Sequence, residues 1–204
     1  MTIYLFDTYC KSAVENIEKH TGLTIEYKCE PEKNLKLLMS KDTFLIDVFH
    51  TFIEPIVTFD DERTYERMGI VAFVKTREPR AGFREFIEFY HNKEKQLGIH
   101  SDAFNDVEFA KMKEHWAFGN NVDKFFDMMY AKYRDITSVY DDHNWIKDFD
   151  KMMSEFKVDK QNTLIIGDGL SDIVPAIESN VDLLLVPSFK VDRNFDYNRL
   201  IPKS

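Results

Sequence analysis

Cysteine is scarce: Cys10 and Cys29 are the only two among 204 residues. Two thiols cannot form the framework of bridges that staples small secreted domains, and nothing resembling a secretory leader opens the chain, so a reducing, cytoplasmic compartment is expected. Basic residues are also outnumbered, 27 Lys and Arg against 36 Asp and Glu, giving a formal charge of −9. Broad attachment to duplex nucleic acid or to an anionic membrane needs a basic face and is not expected, although a local basic cluster is compatible with this balance. Long apolar runs are missing as well; none approaches the ~20 residues needed to cross a bilayer. Disorder is disfavoured by a 44% hydrophobic content that includes 18 phenylalanines. The length suits one domain with a substantial core, with or without an appendage. It does not fix an oligomeric state.

What is present is organised around Thr163-Leu-Ile-Ile-Gly-Asp-Gly-Leu-Ser-Asp172. Leu164, Ile165 and Ile166 form a short apolar strand, Gly167 lets the chain turn, and Asp168 and Asp172 follow at the strand's carboxyl end. Ligands bind at that edge of open α/β sheets. Two carboxylates there repel unless a cation lies between them, and Mg²⁺ is satisfied by one or two carboxylates plus water and phosphate. The competing reading has Asp172 cap the helix that begins near Ile173, with Asp168 in an ordinary turn.

Gly167-Asp168-x-x-x-Asp172, followed by a helix and the apolar run 183–186, resembles the fourth motif of the haloacid dehalogenase-like (HAD) superfamily. Asp47-x-x-x-Thr51-Phe52 after the apolar run 43–49 resembles the first, whose leading aspartate is the nucleophile. That family usually writes Asp-x-Asp-Gly-Thr, and Phe49 and His50 depart from the pattern at its second aspartate and its glycine. Residues 54–77, with a turn-like 59–63 and a strand over 69–74, resemble the flap that follows. Ser101, after the strand expected at 96–100, resembles the second motif, although a serine there is equally a helix cap. Lys147, on a helix expected over 144–156, resembles the third motif's lysine, although helical lysines are often simply solvated.

The resemblance implies an α/β fold: a Rossmann-like HAD core, a parallel sheet with helices on both faces and a small flap or cap. Residues 1–42 would be a βαβα extension of the sheet, 43–190 the core with its flap at 54–77, and 191–204 a C-terminal tail. Helices are expected at 107–117 and 122–133, a strand at 136–140, and a core stripe of Phe83, Phe86, Ile87 and Tyr90. The implied activity is a Mg²⁺-dependent phosphatase or phosphotransferase working through an aspartyl phosphate. Its substrate would be a small phosphorylated metabolite, a nucleotide or a phosphorylated end. Asp47 would be the nucleophile, Ser101 and Lys147 would hold phosphoryl oxygens, and Asp47, Asp168 and Asp172 would hold the metal. With Phe49 at the place of the second acid, His50 or His100 is a candidate proton donor.

Three alternatives stay open. The same departure at Phe49 suits a degenerate HAD-fold module that binds without hydrolysing. Ile3-Tyr-Leu-Phe-Asp7-Thr-Tyr9 resembles the opening of the true haloacid dehalogenases, which would make Asp7 the nucleophile and 11–79 an inserted cap, but Lys11 stands where a threonine is expected. The βαβαβ opening also suits a receiver-like domain phosphorylated on Asp47, although a receiver would normally end in far fewer residues. Specificity would reside in residues 54–77 and 104–134, for which no code is readable.

Overall fold

A computed structural model describes residues 1–22, 24–48, 51–53, 77–101, 128–131, 147–189 and 191–203. Among the described residues seven strands form one sheet: β1 (Ile3–Leu5), β2 (Tyr27–Lys28), β3 (Thr43–Asp47), β4 (Gln96–Ser101), β5 (Met128–Ala131), β6 (Thr163–Gly167) and β7 (Asp182–Leu185). Their order is β2-β1-β7-β6-β3-β4-β5, and every pairing is parallel. The helices are α1 (Tyr9–Thr21), α2 (Pro31–Ser40), α3 (Phe83–His91), α4 (Phe149–Phe156) and α5 (Leu170–Ser179), with short 3₁₀ turns at Lys160–Asn162 and Tyr197–Leu200.

β3 and β6 lie side by side in the middle, and all five residues of each are buried. Strands covered on both faces need continuous rather than alternating apolar sequence, which is what Phe-Leu-Ile and Leu-Ile-Ile supply. The chain leaves β3 for β4 on one side and leaves β6 for β7 on the other. Right-handed crossovers in opposite directions place α3 and α5 on opposite faces. The crevice where the direction reverses opens between the carboxyl ends of β3 and β6.

The stripe on α3 is core as expected: Phe83, Phe86, Ile87 and Tyr90 are all fully buried. Phe83 stacks on Phe52 at 4.1 Å between centroids and meets Tyr197 edge-on at 5.0 Å. The first of these contacts ties the turn after β3 to the start of α3. The C-terminal residues are integral to this core, since Phe195, Tyr197 and Leu200 are buried. Gly82, with a φ of +70°, is where they dock; a Cβ there would lie 2.3 Å from Asp196 Oδ1 and 2.5 Å from the Asn198 backbone nitrogen.

Three expectations change. Residues 128–131, expected to be helical, form β5 beside β4, with Gly98 to Ser101 paired against Met128 to Ala131; pairing with a neighbouring strand overrides local helical periodicity. The helix expected from 144 begins at Phe149, because Asp148 caps it by accepting a hydrogen bond from the Lys151 backbone N–H at 2.8 Å. Lys147 therefore precedes the helix. The second strand, expected over 23–29, is only Tyr27–Lys28. The strand at 136–140, the helix at 107–117, Phe49, His50 and the flap up to residue 76 lie outside the described residues. Among the described residues no helix is long and apolar enough to cross a membrane.

Candidate active site

Each strand terminus at the crevice delivers one candidate side chain. Asp47 is the last residue of β3, Ser101 the last of β4, and Asp168 follows Gly167 at the end of β6. Asp47 pairs in register with His100, so Ser101 lies one residue further along the edge. Asp47, Ser101, Lys147 and Asp172 are all buried.

The ammonium of Lys147 occupies the centre. It donates to Asp47 Oδ1 at 2.8 Å and to Asp172 Oδ1 at 2.7 Å, with Ser171 Oγ at 3.4 Å. These three charges share an environment with almost no water: the side chains of Lys147, Asp47 and Asp172 are 4%, 7% and 0% exposed. Lys147 can reach both acids because it lies before α4, outside any helix, rather than on the solvated face of one.

Asp172 is the more committed carboxylate. While Oδ1 takes Lys147, Oδ2 accepts the backbone N–H of Asp168 at 3.0 Å and of Gly169 at 3.4 Å, satisfying donors at the start of α5. Gly167 is required for this approach, since a Cβ on it would sit 2.3 Å from Asp172 Cγ. The capping and the charged readings of Asp172 thus describe one carboxylate doing two jobs.

Asp168 is held differently. Its Oδ1 is 3.1 Å from Thr51 Oγ1, which also lies 3.4 Å from Asp47 Oδ2. Burial, then the negative charge of Asp172, push the Asp168 acid from its ordinary 3.8 up to about 7, against the opposing pull of Lys147, the Thr51 hydroxyl and Arg80. The Thr51 hydroxyl donates to Asp168 Oδ1 at 3.1 Å and lies 3.4 Å from Asp47 Oδ2, so its single proton is placed between the two acids.

A pH dependence of stability follows. The unfolded carboxyl releases its proton near 3.8 and the folded one near 7, so between these values the folded chain holds an extra proton and its stability declines as pH rises. The melting temperature of wild type relative to Asp168→Asn, a permanently neutral substitute, is expected to fall from about pH 4 to about pH 7 and then level off. A difference that is flat, or that grows in favour of wild type, would contradict this assignment.

His100 completes the wall. It is fully buried and edge-on to Phe149, with Nδ1 3.7 Å from Asp47 Oδ1. Neither ring nitrogen has a hydrogen-bond partner among the described residues. Burial first, then the Lys147 charge, hold its imidazole well below the usual range against an upward pull from the Leu45 backbone, so the ring is neutral.

Asp7 is not brought to this site. It follows β1, and β7 and β6 stand between β1 and β3. Its Oδ1 lies 3.4 Å from the Cys10 backbone nitrogen and 3.7 Å from Cys10 Sγ, a local contact at the start of α1. Thr51, Arg80 and Tyr197 are the neighbours that sequence reading assigned no role. Thr51 carried a signal in its spacing from Asp47, whereas a lone arginine and a lone tyrosine in the tail carried none.

No protein-family model matches the sequence, and no curated protein matches it. Solved structures do match the fold. A HAD-superfamily hydrolase from Ehrlichia chaffeensis is similar at 15% identity and a TM-score of 0.51, over 80% of this chain and 98% of that one. An uncharacterized protein from Listeria monocytogenes serotype 4b is similar at 17% identity and a TM-score of 0.52, over 73% of this chain and 80% of that one. The chain therefore has an α/β, Rossmann-like HAD fold.

Proposed function

We propose that the protein is a divalent-cation-dependent phosphoryl-transfer enzyme of HAD type, a phosphatase or phosphotransferase acting on a small phosphorylated metabolite, a nucleotide or a phosphorylated end. The observation that carries this reading is the ion triad: a buried carboxylate at the switch point of a parallel sheet, Asp47, held 2.8 Å from an ammonium that is itself anchored on Asp172. Asp172 and Lys147 neutralise each other, and a cation beside Asp47 and Asp168 would draw the Asp168 acid, held up at about 7 by burial and the Asp172 charge, into its charged form. That balance fits a hard cation. Asp47, His100 and Asp172 also bring one donor atom each within 4.8 Å of one another. However, Asp172 Oδ1 takes Lys147 at 2.7 Å and Oδ2 takes the Asp168 backbone N–H at 3.0 Å, closer contacts than the 3.4 Å from Asp47 Oδ2 to Thr51, and an imidazole nitrogen is a poor match for magnesium. Asp47 and Asp168 would hold Mg²⁺, with Asp172 as the anchor of Lys147.

Bound there, Mg²⁺ would offset the charge of the phosphoryl oxygens. A carboxylate oxygen of Asp47 attacks phosphorus, the bond to the leaving oxygen breaks with its electron pair, and an aspartyl phosphate forms. Lys147 and Ser101 hold phosphoryl oxygens as charge shifts between the two ends of the reaction. Attack of water on phosphorus then restores the Asp47 carboxylate and releases phosphate. Phe49 cannot supply the leaving group with a proton, and general acid catalysis is typically worth ~10²–10⁴ in rate. Aryl and acyl phosphates, whose leaving groups need no proton, are therefore the favoured test substrates; for others His50 is the candidate donor, since the neutral, buried His100 has no acidic proton to give.

Phosphate release from p-nitrophenyl phosphate and from a panel of alkyl phosphates and nucleotides, with Mg²⁺ or with EDTA, tests the reading. The expectation is release that needs Mg²⁺, is lost in Asp168→Asn, and is fastest on the aryl ester. Release that persists in EDTA would sink it. Phe49 also motivates the second reading, a HAD-fold module that binds phosphate without turnover. Bound Mg²⁺ and phosphate analogue with no release from any substrate would select that one.

A further inference from the structure

Thr51 is gripped from two sides. Its hydroxyl lies against Asp47 and Asp168, while its carbonyl accepts the Tyr197 hydroxyl at 3.1 Å and Arg80 Nη1 at 3.3 Å. Arg80 Nη1 also donates to the Pro187 carbonyl, and Nη2 donates to the Asp192 carbonyl at 2.7 Å. The guanidinium lies 4.0 Å from the Phe189 ring centroid and 5.3 Å from that of Phe195. Arg80 is 5% exposed and Tyr197 fully buried. A cation in that position costs desolvation that carbonyls and ring faces only partly offset, so it is an expensive way to fasten a surface tail. It makes sense where the fastened atom matters.

We propose that the C-terminal residues 187–189 and 191–200 are a working part of the site, with Tyr197 and Arg80 as positioning residues. By fixing the Thr51 backbone they keep its hydroxyl between Asp47 and Asp168. This rests on the roles given above to those two acids. A segment with no catalytic side chain thereby sets the geometry of the metal-facing carboxylates from behind.

Two tyrosines separate positioning from packing. Tyr197→Phe removes the hydroxyl that holds Thr51. Tyr90→Phe removes an equally buried hydroxyl that donates to the Leu200 carbonyl at 2.8 Å, in the same C-terminal region but away from Thr51. Each deletes one buried hydrogen bond, so similar decreases in melting temperature of about 2–4 °C are expected. Only Tyr197→Phe is expected to weaken Mn²⁺ binding, read by electron paramagnetic resonance, by ~10-fold, the scale seen when groups behind a metal ligand are removed. It should also lower kcat with little change in KM. In the metal-free protein, three-bond couplings of the Thr51 methyl should report one rotamer in wild type and Tyr90→Phe and an average in Tyr197→Phe. Equal metal affinities in the two variants, or an unchanged Thr51 rotamer in Tyr197→Phe, would overturn the proposal. A wild type that neither binds Mn²⁺ nor releases phosphate would sink the functional reading instead, and the methyl couplings would still decide the positioning.

Discussion

Asp47→Asn is expected to reduce Mg²⁺-dependent phosphate release by at least ~10³-fold while leaving a folded protein, because removing the nucleophile removes the step on which the other groups act. The asparagine amide oxygen can still accept from Lys147, which stays anchored at 2.7 Å on Asp172, so the packing around the triad has a reason to survive. Asp7→Asn should leave release unchanged, since β7 and β6 separate the strand before Asp7 from the one that carries Asp47. A panel in which Asp7→Asn is inactive and Asp47→Asn active would reverse the assignment.

Lys147→Met is expected to produce the largest loss of stability. The methionine fills a similar volume but leaves Asp47 and Asp172, 7% and 0% exposed, without the cation between them. Breaking a buried pair by removing one partner costs roughly 3–5 kcal/mol because the remaining charge is stranded in low dielectric. In a chain of this size that corresponds to a melting temperature lower by roughly 6–20 °C. Millimolar Mg²⁺ should recover more stability in this variant than in wild type, since the cation then meets two acids without an ammonium. Thermal melts with and without Mg²⁺ check both parts. A Lys147→Met protein as stable as wild type would mean that the triad holds neither the site nor the fold together.

The legible parts of this chain are those where chemistry and local structure coincide in sequence. The end of β6 is one: an apolar run, Gly167 and two acids lie within a few residues, and the apolar run, the turn and the spacing agree on one edge of one sheet. Asp47 is another, because β3 is continuously apolar up to the carboxylate. What sequence could not give is contact between distant residues. Lys147 was legible as a charge but not as a bridge, because its reach depends on where Asp148 starts α4. Arg80 and Tyr197 were invisible for the same reason: each acts on Thr51 through a carbonyl, and nothing in a side-chain pattern marks which carbonyl a tail will cover. β5 is not legible in the local sequence because strand pairing, a long-range interaction, decides what Met128–Ala131 become.

If Asp47 carries the phosphoryl group, Phe49 gives a direct way to see it. Without an acid at that position the attack of water on the intermediate is slowed, so aspartyl phosphate should accumulate. The measurement is acid quench of wild type during turnover of p-nitrophenyl phosphate with Mg²⁺, followed by intact-mass analysis and peptide mapping. One added phosphoryl group is expected, located on Asp47, absent with EDTA and absent in Asp47→Asn. Phosphate release at the wild-type rate from Asp47→Asn, or an adduct mapping to Asp7, would contradict it.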